Sequence, residues 1–85
     1  KHGALGDAYS ELGDFDAAMK QYKKAISAGD NEVLTPYYLK KIGMLHERNG
    51  NMADAKASYE RIKEEYPGSP VSRDIEKYIV RASQG

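Results

Sequence analysis

The chain predicts an all-α fold of five helices, and three observations predict it. Apolar residues recur at helical spacing along nearly its whole length and never alternate as a strand would. Cap and stop residues punctuate that pattern at short intervals. One helix–turn–helix phrase is also written twice, as LGDAYSELGDFDAAMKQYKKAI over Leu5–Ile26 and as IGMLHERNGNMADAKASYERI over Ile42–Ile62.

Each element follows from local signals. From Ala4, the residues Leu5, Ala8, Tyr9 and Leu12 share one helical face, and Gly13 stops that helix. Asp14 can cap a second helix by accepting from its free N–H groups, and this helix carries Phe15, Ala18, Met19, Tyr22, Ala25 and Ile26 inward before AGDN ends it. A third begins at Thr35–Pro36, with Thr35 as cap and Pro36 in the first turn, where a missing N–H does no harm. Its buried stripe is Tyr38, Leu39, Ile42, Leu45 and His46, and it stops at NGN. Asn51 caps a fourth, striped by Met52, Ala55, Tyr59 and Ile62, until YPGSP ends it. Ser69 and Pro70 restart the chain as a fifth helix with Val71, Ile75, Tyr78, Ile79 and Ala82 on one face.

Superposing Gly6 on Gly43 also superposes Leu5 on Ile42, Gly13 on Gly50, Asp14 on Asn51, Ala18 on Ala55, Tyr22 on Tyr59 and Ala25 on Ile62. Each coincidence has a packing reason. The first Gly lets the two helices of a hairpin cross closely, the second turns the chain between them, the Ala admits a bulky neighbour, and the Tyr seals the contact to the next hairpin.

Composition narrows the functional classes. Eighty-five residues make one small domain whose core is marginal by itself. Lys plus Arg (13) equals Asp plus Glu (13), so no global field attracts nucleic acid or an anionic membrane. Without cysteine there is no disulfide, thiolate metal site or Cys nucleophile. The apolar runs are far shorter than the ~20 residues that span a bilayer, and nothing reads as a signal peptide. Because Lys1 falls inside a motif and is not an initiator Met, we expect a piece of a longer protein.

The repeated residues resemble the tetratricopeptide repeat, a ~34-residue helix–turn–helix unit. Leu5, Gly6, Tyr9, Gly13, Ala18, Tyr22 and Ala25 match in the first unit, and Leu39, Ile42, Gly43, Gly50, Ala55, Tyr59 and Pro67 in the second. The departures are His46 where Tyr is usual, Ile62 where Ala is usual, and Asp30 where Pro would be. The units are spaced by 37 residues, which places the extra ones in DNEVLT. The resemblance implies antiparallel helix–turn–helix repeats stacked as a right-handed superhelical solenoid. The first repeat would occupy residues 1–30, truncated at its start, the second 35–68, and a capping helix 69–83. The stretch YPGSP is similar to the Tyr-Pro-x-Ser-Pro link of tetratricopeptide scaffolds of the bacterial cell envelope, which leaves envelope and cytoplasm both open as locations.

Little in the chain suggests chemistry. His46 lies on the buried stripe and reads as a core histidine, and His2 reads as solvated. Neither has a partner at zinc-like spacing. Asp14 and Asp16 suit a helix start rather than a cation site. The GALG stretch has no preceding strand and is no phosphate loop. Asn49–Gly50 is a turn prone to deamidation. Tyr9, Tyr22, Tyr38, Tyr59 and Tyr78 fill packing slots, which leaves Tyr37 and Tyr66 for another role. With no nucleophile beside a base, the expectation is a protein that is not an enzyme and uses no cofactor or metal.

The resemblance further implies that a protein or peptide binds along the concave face, lined by the outward side of each unit's first helix. That face takes Asp7, Ser10 and Glu11 from the first unit; Tyr37, Lys40, Met44, Glu47 and Arg48 from the second; and Arg73, Lys77 and Arg81 from the last helix. The surface is graded from acidic to basic, so the acidic part of a peptide would lie across Lys40, Arg48, Arg73 and Lys77, with Tyr37 and Met44 giving apolar contact. Lys40 also matches one lysine of the carboxylate clamp of chaperone-binding relatives, but Met44 stands where the clamp has Asn. In the alternative reading Arg73, Lys77 and Arg81 only solvate the cap. The segment is then a spacer, or self-associates as a homo-oligomer through the exposed Leu5 and Leu12 of the first repeat.

Overall fold

Glycine and tyrosine set how the hairpins close. The structure, a computed structural model, describes residues 1–29 and 31–84, so Asp30 lies outside the described residues. Its helices are α1 (His2–Glu11), α2 (Phe15–Ala28), α3 (Leu34–Arg48), α4 (Met52–Glu65), α5 (Pro70–Arg73) and α6 (Ile75–Gln84). α1 pairs with α2 and α3 with α4 as antiparallel hairpins, α2 packs on α3 to stack them, and α6 lies on α4. Gly13 and Gly50 turn the two hairpins at φ +79° and +80°, a conformation that residues with a Cβ adopt only under strain.

Inside each hairpin the conserved spacing has a visible cause. The Tyr22 ring lies on Gly6, and the Tyr59 ring on Gly43; a Cβ at either glycine would approach the ring closer than 3.0 Å. Tyr59 is 0% exposed and, with Leu39, Ala55, Ile62, Ile75, Ile79 and Ala82, forms the larger of two clusters. The smaller one joins Ala18, Met19 and Tyr22 of α2 to Ile42 and Leu45 of α3. The tyrosines also reach the next element, with Tyr22 stacked near Tyr38 at 6.2 Å and Tyr59 against Tyr78 at 5.5 Å.

Several local expectations are corrected. The last helix is two, so the described residues hold six helices and not five: after one turn the chain bends at Asp74, which lets Val71 reach the core beside α3 while α6 runs along α4. Ser69 does cap this restart by accepting from Val71 N–H. Thr35 is not the cap of α3. That helix starts at Leu34, and Asn31 accepts from the Val33 and Leu34 N–H groups at 2.9 and 2.7 Å. Thr35 is buried, and its hydroxyl accepts instead from Asn31 N–H. Asn51 precedes α4 without a side-chain capping bond, whereas Asp14 accepts from Ala17 N–H at 3.1 Å as expected.

The apolar stripe of α1 is also not where its periodicity put it. The buried residues of α1 are Gly3 and Gly6, and Ala8 is exposed. Leu5 and Ile42 share one repeat position, yet Ile42 is 5% exposed and Leu5 43%. The reason is coverage: α2 lies over Ile42, and no described helix lies over Leu5 or over the exposed Leu12.

Gly43→Ala should destabilise the chain by about 1–3 kcal/mol, because the Tyr59 ring has nowhere to move in a filled core. Gly68→Ala, which meets open space, should change it by less than about 0.5 kcal/mol. Urea unfolding of the two variants against the parent chain measures both.

Candidate functional site: the face of the first helices

Two helical stripes face each other across α1 and α3. Gly3, Asp7 and Ser10 lie on one side of α1, and Tyr38, Lys41 and Arg48 on the opposing side of α3. Tyr38 covers Gly3. Lys41 Nζ donates to the Asp7 carboxylate at 2.7 Å, and Arg48 donates to the Ser10 hydroxyl and carbonyl oxygens at 3.0 and 3.1 Å. The Tyr22 hydroxyl donates to the same Asp7 carboxylate.

The arrangement recurs one unit on. The Tyr59 hydroxyl donates to Glu47, and Arg81 donates to both Glu47 oxygens, through Nε at 2.8 Å. Acid and cation are 34 positions apart in both cases. Glu47 and Arg81 stand one turn beyond the places that the 37-residue spacing would give to the equivalents of Asp7 and Lys41. The bonding scheme is therefore kept although the residue register slips. In each copy, one carboxylate joins both helices of its hairpin to the next element.

Charge follows from these bonds. At Asp7 burial acts to raise the carboxyl, but the bonds from Lys41 and Tyr22 outweigh it and hold it below the usual range. Arg81, aided by Tyr59, likewise holds Glu47 low against its burial. Burial first, and then the neighbouring carboxylate, push the Tyr22 and Tyr59 phenols well above their ordinary value. Lys41 stays raised through Asp7 although burial opposes it.

The eleven residues expected on the concave face fall into separate groups. Asp7, Ser10, Glu11, Met44 and Arg48 line one groove of about 330 Å³ between α1 and α3. Lys40, Lys77 and Arg81 converge on a single ring, their charged groups 4.7, 5.5 and 4.8 Å from the Tyr78 centroid. Glu47, its side chain 11% exposed, serves the scaffold. Tyr37 lines a different hollow and packs edge-on against Tyr38 at 5.4 Å. Arg73 is on α5, across the Asp74 bend from the cluster. The acidic end of the expected gradient is largely neutralised, since Lys41 pairs with Asp7 and Arg81 with Glu47.

Sequence reasoning missed Lys41 and the hydrogen-bonding role of Tyr22 and Tyr59. Opposite charges one repeat length apart were the available signal. His2 is not simply solvated, since its Nδ1 lies 3.0 Å from the Gln21 side-chain oxygen. His46 is in the core as expected, with its ring 5.8 Å from Phe15 and a buried Nδ1 that has no hydrogen-bond partner among the described residues. Burial lowers its pKa, and Lys23 adds to this while Asp54 opposes it.

Among the described residues no group of three or more His, Cys, Asp or Glu could hold a metal ion, and no helix is long and apolar enough to cross a membrane. A family model described as tetratricopeptide repeat matches residues 4–70. No curated protein and no solved structure matches the chain significantly.

These shifts fix the direction of the pH dependence. The His46 pKa is lowered from 6.5 in the folded chain, so below that pH the unfolded chain binds more protons and stability falls as pH drops through the folded value. Asp7 and Glu47 add stability above their ordinary values of 3.8 and 4.5, which is lost as pH falls through their lowered folded values. Thermal unfolding from neutral pH downward should therefore show two successive losses, and His46→Phe should remove the first and leave the second.

Proposed function

Because the chain belongs to the tetratricopeptide repeat family, whose repeats mediate protein–protein interaction and scaffolding without catalysing a reaction, we propose that it is a non-catalytic docking module for an acidic peptide. The observation that carries this reading is the convergence of Lys40, Lys77 and Arg81 on the Tyr78 ring. Arg81 is committed to Glu47, but Lys40 and Lys77 form no ion pair among the described residues. Two cations flank one aromatic face at the mouth of the α3–α6 side, with exposed Met44 on the same side of α3. A carboxylate bridging Lys40 and Lys77 gains charge-assisted hydrogen bonds, and an adjoining apolar side chain gains the Met44 surface. Asp7, Ser10 and Arg48 shape the groove beside it while remaining bonded to the fold.

A second reading rests on a different observation. Leu5 and Ala8 are exposed at repeat positions whose counterparts, Ile42 and Leu45, are buried by the preceding hairpin. That end of the stack suits another repeat unit, in the same parent protein or in a second copy, and the segment then acts as a spacer.

The test is fluorescence polarisation with a labelled hexapeptide rich in Glu and Leu. Lys40→Glu with Lys77→Glu should weaken binding about tenfold or more, and added salt should weaken the parent interaction in parallel. Equal affinity for parent and variant would remove the concave-face reading. Mass that grows with concentration in light scattering, and reverts in Leu5→Lys, would support the second.

A further inference from the structure

The connection after α2 and the start of α3 build one wall of a second, separate groove. It lies at the loop end of the stack, between the α2–α3 connection and the α4–α5 connection, and encloses about 790 Å³. That is within the roughly 300–1,000 Å³ of ordinary ligand clefts. Val33, Leu34 and Tyr37 form one side, and Tyr66, Pro67 and Val71 the other. Val33 is 75% exposed, and Leu34 and Tyr37 are exposed beside it, so a large part of the chain's exposed apolar surface is concentrated here. The groove also takes in Tyr37, which packs on Tyr38, and Tyr66, which packs on the core cluster.

Its charge identifies the occupant. Among the described residues, Glu32 and Glu65 are the charged residues that line it, and both are acids. Glu65 meets Arg61 at 3.2 Å, but that pair is exposed and lies within one helix, so water screens it and the carboxylate stays available. We propose that this groove docks a segment of another protein in which an aliphatic or aromatic side chain is flanked by Lys or Arg. The apolar side chain enters between Leu34 and Val71, and the flanking cations meet Glu32 and Glu65. This preference is opposite in charge to that of the concave face, so the two surfaces can be tested independently.

The probe is the capped hexapeptide Gly-Arg-Leu-Lys-Val-Gly, titrated into the ¹⁵N-labelled chain and followed by amide shifts. Shifts should concentrate at Val33, Leu34, Tyr37 and Val71, and the counterpart Gly-Glu-Leu-Glu-Val-Gly should not reproduce them. Glu32→Lys should weaken the basic peptide about threefold and Leu34→Ser about tenfold; both positions are exposed, and an unchanged spectrum elsewhere verifies the fold. Three results would each overturn the proposal: no shift at the groove, equal response to the acidic peptide, or response of Met44 and Tyr78 instead. Shifts at the groove amides on diluting the free chain would also overturn it, because a second copy would then be the occupant.

Discussion

Everything else in the structure depends on a tyrosine ring laid against a glycine. Tyr59 on Gly43, and Tyr22 on Gly6, bring two helices close enough that the ring itself is the core of the hairpin. The rest of a ring so placed must be covered from outside the hairpin. Tyr38 covers Tyr22 and Tyr78 covers Tyr59, so each unit is completed by the element that follows it. Its hydroxyl would be an expensive buried polar group without a partner. Asp7 and Glu47 satisfy it, and their charge in turn requires Lys41 and Arg81. A packing choice in the hairpin thus propagates into the charge pattern of the face above it.

That propagation decides what the surface has left for a partner. Cations and acids that appear free along the sequence are consumed in pairs by the stacking of units, and the face keeps only those charges the scaffold does not use. Lys40 and Lys77 remain beside Tyr78, and Glu32 with the Val33–Leu34 wall remains at the loop end. The second proposed surface lies in the connection before Thr35, away from these repeated bonds.

Much of this was legible in the sequence. Gly13, Gly50, Asp14 and Ser69 are dictated by backbone geometry within a few residues, and local chemistry reads them directly. The stripes of α2, α3, α4 and α6 follow from periodicity because each of these helices has a neighbour. Periodicity misled at α1, where Leu5, Ala8 and Leu12 share a face that no described element covers, since an amphipathic pattern records what a helix can bury and not what is there to bury it. Thr35 was misread because the helix starts one residue earlier, at Leu34, where Asn31 takes the Val33 and Leu34 N–H groups and the buried Thr35 hydroxyl accepts from Asn31 N–H. The bend at Asp74 left no trace in composition, and Val71 before it and Ile75 after it join the same core cluster. On the concave face, residue-by-residue transfer found surface positions but not their state: Asp7, Glu47 and Arg81 were placed there as groove residues and are structural ties.

Amide hydrogen exchange tests most directly the claim that each hairpin is held by the element stacked on it. α4 is enclosed by α3 and α6, whereas α1 is covered from one side. The account predicts that amides of α3, α4 and α6 exchange only through global unfolding, while those of α1 exchange through a smaller opening that leaves the rest protected. Equal protection of α1 and α4, or α4 opening before α1, would contradict it.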